Sequence, residues 1–320
     1  MIDKTLLDRA KRYHEQTEAP NASVLIYGFA RTGKTRFAST VAKLPSIENV
    51  YWFDLENGLD TVISNNILQE HELAKIIPIS IKDTTVGVIN LDEALSFKQL
   101  ETANDVDLSD IKLSGTPRAA ETFLKIFTAT DGVYIDLEEG RVVPRPTDQT
   151  IHFDYNKLTS KDVVVIDTGT QLARSMFSLC ILINPSFRHA KKWWAEFYSR
   201  MNIIMTRIQS ANHTKFICIA HEQIEEPPEE ITARRKTRGG VPTAVGMHYP
   251  VWGSKNYSLN IGTFFGVILN LTSKGETYGI NSTPTSANMV LAGSRYDINI
   301  DDLKNPEIKD LLVINPKGKR

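Results

Sequence analysis

The segment SVLIYGFARTGKTRFAST, residues 23–40, constrains the fold of this chain more than any other. Gly28, Gly33, Lys34 and Thr35 satisfy the pattern G-x-x-x-x-G-K-[ST], with an apolar strand before it and a helical stretch after it. The glycines let the backbone curl so that successive N–H groups point at one anion, and the start of the helix adds its dipole. The segment therefore predicts a strand, a phosphate-binding loop and a helix, in that order.

The residues of this loop have predicted roles in binding a nucleotide. Lys34 is expected to reach the β and γ phosphates of a nucleotide, and the Thr35 hydroxyl is expected to bind Mg²⁺. ATP and Mg²⁺ are the predicted cofactors, because the nearest match to the guanine-reading pattern N-K-x-D, at 156–159, ends in Thr159. The predicted nucleotide-binding residues are Gly28, Phe29, Ala30, Arg31, Thr32, Gly33, Lys34, Thr35 and Arg36.

Short apolar runs alternate with helical stretches along the chain. Strands are predicted at 24–27, 50–53, 76–81, 163–167 and 216–220, and helices at 34–43, at 58–68, from 171 and at 189–209. Parallel strands need long connections, so this alternation predicts an α/β fold with a mainly parallel sheet and helices on both faces. Residues 264–282 predict an antiparallel hairpin near the C-terminus.

The same pattern divides the chain into three parts. Residues 1–21 are predicted to form an N-terminal helix (3–16) and a linker, 22–300 the main domain, and 301–320 a C-terminal tail. Within the main domain, 84–160 is predicted to be an insertion with helices at 91–102 and 117–129 and a hairpin. Residues 224–246 hold several prolines and glycines between an acidic and a basic half, which predicts a long mobile loop.

Asp167 ends the apolar strand DVVVID and is predicted to hold Mg²⁺ through water. The carboxyl ends of parallel strands are where open α/β sheets bind ligands, which favours this role over capping of the next helix. Residue 168 is Thr rather than Glu, so the residue that activates water must come from another strand, or hydrolysis is poor.

Asp54 and Glu56 stand two residues apart at the end of another predicted strand, so their side chains share a face. In an open sheet, the strand after the first helix can lie beside the strand that precedes the phosphate loop. Glu56 is therefore the predicted base that orients and deprotonates the attacking water. The alternative is that Asp54 and Glu56 are solvated charges at a strand end.

Composition excludes several classes of protein. The 320 residues carry a formal net charge of −1, so no global positive field predicts binding to a polyanion. Cys180 and Cys218 lie in apolar surroundings without metal-type spacing, which predicts buried, reduced thiols. No apolar run nears the ~18 residues of a membrane span, so we expect a soluble, cytoplasmic protein that does not bind membranes.

GFARTGKT, FDLENGLD, VVVIDTGTQL and FICIAHEQ occur in the order found in RecA-type ATPases, which the chain resembles over 22–83 and 160–297. The similarity is greatest to compact phage-type members that anneal single-stranded DNA. The resemblance implies a RecA-like core that hydrolyses ATP as a homo-oligomer, with Glu56 as the catalytic carboxylate. It also implies that His221, where the family usually has Gln, senses the γ-phosphate, and that Arg295 contacts it. The alternative for Arg295 is a surface residue.

The resemblance further places Arg234, Arg235, Lys236 and Arg238 in the loop that engages single-stranded DNA. Basic groups on a glycine-flanked loop suit a phosphate backbone, although they could instead balance the acidic run before them. In the predicted helix 189–209, Trp193 and Trp194 are about 100° apart, so both cannot face one core. One of them is expected to mark a subunit contact or a DNA platform, unless the helix is covered on two sides.

Two other functions fit the same loop. In a P-loop kinase, Asp54 or Glu56 would be the base of a small acceptor, and the basic run would be a closing lid. In a nucleotide-gated assembly or loading factor, hydrolysis would be weak and Glu56 dispensable.

Overall fold

The structure is a computed structural model that describes residues 23–84, 86–88, 112–187, 190–210, 215–225, 247–274, 277–283, 290–294 and 305–312. The strands are β1 Ser23–Gly28, β2 Asn49–Asp54, β3 Ile76–Ser80, β4 Val86–Val88, β5 Lys112–Ser114, β6 Val133–Asp136, β7 Val142–Val143, β8 Thr150–Phe153, β9 Asp162–Asp167, β10 Lys215–Glu225, β11 Met247–Pro250, β12 Val267–Lys274, β13 Thr277–Asn281 and β14 Gly293–Ser294. The α-helices are α1 Lys34–Ser39, α2 Leu59–Ser64, α3 Glu70–Leu73, α4 Arg118–Thr128, α5 Gly169–Ile183, α6 Ala190–Gln209, α7 Lys255–Asn260 and α8 Ile308–Leu312. A 3₁₀ turn, Thr40–Lys43, continues α1.

The central sheet has the order β13-β12-β1-β10-β9-β2-β3. Its six strands from β12 to β3 run parallel to one another. β13, β11 and β14 are antiparallel to their neighbours, and β12 with β13 forms the predicted C-terminal hairpin. The α/β class and the mainly parallel sheet are therefore confirmed.

Helices cover both faces of this sheet, as predicted. In β1, Leu25 and Tyr27 point into a core shared with α4, α5 and α6, whereas Val24 and Ile26 point into a second core with α1 and α2. The alternation follows from the two-residue period of a strand, and burial on both faces explains why the parallel strands read as continuous apolar runs.

The position of β2 differs from the sequence interpretation. β2 does not lie beside β1; β10 and β9 separate the two strands. Instead β2 pairs with β9 in a register that sets Asp54 beside Asp167. The Asp54 carboxylate therefore lies at the site because β2 is paired with β9. Every residue of β9 is buried, so this strand needs apolar neighbours on both sides.

β10 is longer than the predicted strand at 216–220 and ends at Glu225. Ile224 and Glu225, predicted to begin a loop, pair instead with His248 and Met247 of the antiparallel strand β11. Residues 226–246, which hold Arg234, Arg235, Lys236 and Arg238, connect these two strands and lie outside the described residues.

Part of the segment 84–160 packs into the domain core. Phe123 and Phe127 of α4 are buried in the same cluster as Phe53 of β2, and β6 pairs with β7 and β8 in a small antiparallel sheet. The helices predicted at 3–16 and 91–102 lie outside the described residues, as do Arg295 and most of the tail 301–320.

The expectation that Trp193 and Trp194 face different surroundings is wrong. Both are buried, at 1% and 6% exposure, in one core. Trp193 donates a hydrogen bond to the carbonyl of Asn184 at 3.0 Å, and the Trp194 ring stacks on Phe177 of α5 at 4.1 Å between centroids. α5 contacts Trp194, and the residue that follows α5, Asn184, contacts Trp193, so both indoles are covered.

Cys180 and Cys218 are buried and free, as predicted. Burial raises the pKa of the Cys180 thiol to about 12, which leaves it unreactive at neutral pH. Of the helices in the described part of the chain, none has the length and apolar character that a transmembrane span requires.

Candidate functional site

The phosphate loop connects β1 to α1, and its backbone conformation depends on glycine. Gly33 has φ 82°, in the left-handed region, where a side chain would be strained. A Cβ at Gly28 would lie 2.4 Å from the carbonyl oxygen of Leu271 on β12, so the loop can approach β12 only with glycine there. The Lys34 ammonium lies inside the curl, donating to the carbonyls of Gly28 at 2.9 Å and Phe29 at 2.6 Å.

Thr35 and Asp167 meet at the mouth of this loop. The Thr35 hydroxyl donates a 3.1 Å hydrogen bond to Oδ2 of Asp167, which is 2% exposed at the end of β9. The alternative role for Asp167, capping of the next helix, does not hold, because the hydroxyl of Thr168 accepts from Gln171 N and caps α5.

The Thr35–Asp167 pair fits a Mg²⁺ ion. Mg²⁺ prefers oxygen ligands and is usually held by one or two protein groups together with phosphate oxygens and waters. Gly58 leaves room there, since a Cβ would lie 2.5 Å from Oδ2 of Asp167 and 3.3 Å from Oγ1 of Thr35. Among the described residues, no group of three or more His, Cys, Asp or Glu side chains could hold a metal. Thr35 and Asp167 with nucleotide phosphates are the fitting ligands.

Asp54 organises the turn that follows β2. Its Oδ1 accepts from the backbone N–H groups of Glu56 at 3.2 Å and Gly58 at 2.9 Å, and its Oδ2 accepts from Leu59 at 3.1 Å. The Asp54 carboxylate is thus nearly buried and accepts hydrogen bonds through both oxygens, which rules out a solvated strand-end charge. Its role is to hold residues 56–59 in place.

Glu56 projects from this turn toward β9 and β10. One carboxylate oxygen accepts from the Thr168 hydroxyl at 3.1 Å, and Nε2 of His221 lies 2.9 Å from the other. Burial alone would raise the pKa of Glu56, but the hydrogen bond and charge of His221, with Thr168, outweigh burial and lower it. Glu56 is therefore ionised at neutral pH and held in one orientation.

His221 lies on β10, beside Gly28 of the phosphate loop. A polar cluster of Glu222, His248 and Tyr27 lies next to it. The backbone N–H of His221 donates to the Thr170 hydroxyl at 2.9 Å, and its carbonyl accepts from Val251 at 2.8 Å. The next residue, Glu222, has a buried carboxylate that pairs with Nδ1 of His248 on β11. The Tyr27 hydroxyl donates to the carbonyl of His248 at 3.2 Å.

The buried charges of the site shift one another's protonation. Burial, and then the charge of Asp54, raise the pKa of Asp167 to about 7 despite the hydrogen bond from Thr35. Burial lowers the pKa of Lys34 to about 8, against the opposing charges of Asp167, Glu222 and Glu56. A cation beside Asp167 and a phosphate beside Lys34 would restore both charges, as expected for a site built for charged ligands.

The structure brings together the predicted residues Lys34, Thr35, Glu56, Asp167 and His221 at one edge of the sheet, while Arg295 lies outside the described residues. Sequence reasoning missed the positions of Thr168 and Gly58 and the turn-holding role of Asp54. In the sequence, Thr168 is visible only as the absence of a glutamate after Asp167, and the pattern D-x-E-x-G at 54–58 is the signal that could have indicated the turn.

A search of curated proteins finds no match. Among solved structures, the chain matches a prototypical ATPase from the type III secretion system of pathogenic bacteria, with 11% identity and a TM-score of 0.35. The match covers 79% of this chain and 52% of that one, so the chain spans about half the length of that ATPase, and a TM-score this low establishes no common fold. Residues 20–247, more than half of the chain, match the family described as AAA domain. The protein therefore belongs to the AAA domain family of P-loop ATPases.

Proposed function

We propose that this protein is a Mg²⁺-dependent ATPase of the RecA type that works on or near single-stranded DNA, in phage-type recombination, annealing or replication. One observation carries the proposal. The hydroxyl of Thr35, the carboxylate of Asp167 and the carboxylate of Glu56 converge at the mouth of a phosphate loop, with Thr168 linking Glu56 to the Asp167 strand.

Each residue of this group has a role in hydrolysis. Lys34 would neutralise the β and γ phosphates, and Thr35 and Asp167 would hold a Mg²⁺ ion, which would supply further charge neutralisation at the phosphates. Glu56 accepts the proton of the attacking water, since its lowered pKa keeps it ionised at neutral pH. Thr168 and His221 fix the direction of the Glu56 carboxylate, which limits the positions that the water can occupy.

His221 is suited to couple the nucleotide to DNA. Its imidazole touches the catalytic carboxylate, and its strand, β10, ends four residues later at Glu225. The chain then enters 226–246 with the basic residues Arg234, Arg235, Lys236 and Arg238, and returns through β11. A ligand that displaces the imidazole therefore acts on a strand that is continuous with the proposed DNA-binding segment.

The DNA and oligomer parts rest on the sequence. Four basic groups on a segment with glycines suit the phosphate backbone, and binding would weaken steeply with salt. Arg295 would contact the γ-phosphate in its own or a neighbouring subunit, as in enzymes that complete their sites by assembly.

The test is ATP hydrolysis with and without single-stranded DNA, measured for wild type, Glu56→Gln and the exposed control Glu70→Gln. We expect DNA to stimulate wild type, and Glu56→Gln to lose about 100-fold or more in kcat while still binding ATP. Glu70→Gln should match wild type. If single-stranded DNA does not stimulate ATP hydrolysis at any salt or ATP concentration, the proposal that the protein acts on DNA is contradicted.

Product analysis separates the enzyme classes. A kinase releases ADP slowly until its acceptor is supplied, whereas an ATPase releases phosphate with water alone. Full function of Glu56→Gln would instead favour an assembly factor that needs only nucleotide binding.

A further inference from the structure

The carbonyl oxygen of Phe29 orients the side chain of Lys34. Lys34 Nζ donates to this oxygen at 2.6 Å, closer than to the carbonyl of Gly28 at 2.9 Å. The Thr32 hydroxyl donates to the same oxygen of Phe29 at 2.9 Å. The direction of the Lys34 ammonium therefore depends on where the backbone of Phe29 lies, and whatever fixes Phe29 also fixes the charge that would meet the phosphates.

The ring of Phe29 packs edge-on against His248 of β11. The two ring centroids are 6.3 Å apart and the planes are inclined by 76°, which is a favourable edge-to-face geometry. The Phe29 side chain is 47% exposed, so burial in a core does not hold it. His248 is the aromatic side chain that Phe29 meets in the described part of the chain, and it connects the phosphate loop to β11.

His248 is itself held through both its side chain and its backbone. Its Nδ1 pairs with the carboxylate of Glu222 on β10, whose side chain is 1% exposed. Its carbonyl accepts from the Tyr27 hydroxyl at 3.2 Å and from Leu291 N at 2.9 Å. Tyr27 and Phe29 are two residues apart, and both contact His248, one at its backbone and the other at its ring. The imidazole is therefore a fixed support for the loop.

We propose that Glu222 and His248 are positioning residues for ATP hydrolysis, which fix Lys34 through Phe29. The inference rests on the proposed function, since it concerns the same phosphates. The Glu222 carboxylate orients the imidazole, the imidazole holds the ring of Phe29, and the carbonyl of Phe29 directs Lys34. A buried carboxylate is costly unless it is paired, so His248 also makes the burial of Glu222 possible.

The experiment measures kcat and the Kd of ATP for wild type, His248→Ala, Phe29→Ala and the double variant. Each single change should lower kcat by about tenfold and raise the Kd less, because the charge that Lys34 meets grows in the transition state. The double variant should be no slower than the slower single variant, since both changes interrupt one series of contacts. The control is His152→Ala, which removes a ring that meets Tyr134 at 5.0 Å on the small sheet, and it should match wild type.

Two changes at Glu222 separate positioning from a direct effect of charge. Burial lowers the pKa of Lys34 to about 8, against the charges of Asp167 and Glu222, so the Glu222 charge also acts on Lys34 directly. Glu222→Gln removes the charge but keeps an oxygen that accepts from Nδ1 of His248, and it should retain about half or more of kcat. Glu222→Leu removes both and should lose about tenfold, like His248→Ala. Equal losses in the two Glu222 variants would overturn positioning through His248.

The remaining outcomes separate this inference from the proposed function. If wild type hydrolyses ATP and His248→Ala does so equally well, the positioning role is wrong while the ATPase stands. Losses that multiply in the double variant would show that His248 and Phe29 act independently, which also overturns the role. A Kd for ATP that rises as much as kcat falls would indicate a generally loosened loop instead. If wild type does not hydrolyse ATP, the proposed function fails and this inference fails with it.

Discussion

Nε2 of His221 lies 2.9 Å and 3.1 Å from the two carboxylate oxygens of Glu56, a residue 165 positions earlier in the sequence. The contact connects Glu56, which is proposed to activate water, to β10, which leads into the segment proposed to bind DNA. Because both oxygens face the imidazole, a water that binds to Glu56 must share the carboxylate with His221 or displace it.

Removal of the His221 imidazole should change the pH dependence of hydrolysis. In wild type the imidazole helps to lower the pKa of Glu56, whereas burial opposes it. In His221→Ala burial remains and the pKa of Glu56 rises, so the acid limb of the kcat profile should move to higher pH. His221→Asn, whose amide can still donate, should shift the limb less. An unchanged acid limb in His221→Ala would mean that another group sets it.

Asp167→Asn should stabilise the nucleotide-free protein at alkaline pH. The pKa of Asp167 is raised to about 7 in the fold, above its usual value, so the buried carboxyl favours the neutral form. The stabilisation that follows from the raised pKa of Asp167 is fully present below about pH 4, and it is lost as pH rises through about 7. Thermal unfolding should show that the Tm falls less between pH 5 and pH 8 for Asp167→Asn than for wild type.

The same variant should respond poorly to ligand. Mg²⁺ with ATP should raise the Tm of wild type at pH 8 and raise that of Asp167→Asn much less, because a metal ligand is missing. Asp148→Asn, an exposed control, should follow wild type in both measurements. A pH response in Asp167→Asn equal to that of wild type would contradict the raised pKa.

Gly58→Ala should weaken Mg²⁺-dependent nucleotide binding. The backbone of Gly58 is helical, with φ −67°, so alanine is not strained there, but its Cβ would lie 2.5 Å from Oδ2 of Asp167. The Asp167 carboxylate or the turn must shift, and we expect about a tenfold loss of ATP affinity with Mg²⁺ and a smaller loss in EDTA. Gly293→Ala, where a Cβ meets nothing within 4 Å, should leave both affinities unchanged.

Trp194→Ala should lower the free energy of unfolding by about 3–5 kcal/mol, as large-to-small changes in a core do. The ring is buried and stacks on Phe177. Ile203→Ala, on the same helix but 40% exposed, should cost far less. Chemical denaturation measures both. A Trp194→Ala protein of unchanged stability that loses only self-association would support the subunit-contact interpretation instead.

Local patterns predicted much of this fold, because the loop 28–35 and the apolar strands are specified by neighbouring residues. The partners of Glu56 could not be predicted, since His221 and Thr168 reach it only through the order β10-β9-β2, which non-local pairing decides. The same limit explains why the neighbours of β2 in the sheet could not be assigned from the sequence. Trp193 and Trp194 share one core in spite of the ~100° between them, because neighbouring parts of the chain contact both rings, and those neighbours are not visible in the sequence of the helix alone.

The order of the strands also has a consequence for how the chain folds. The phosphate loop is made by consecutive residues, but Thr35 reaches Asp167 across 132 positions, and Glu56 reaches His221 only once β2, β9 and β10 are side by side. Contacts of such long sequence separation form slowly and late. The phosphate loop is also fixed late, because β1, which carries it, lies between β10 and β12, and turnover of ATP therefore shows that the sheet has been completed.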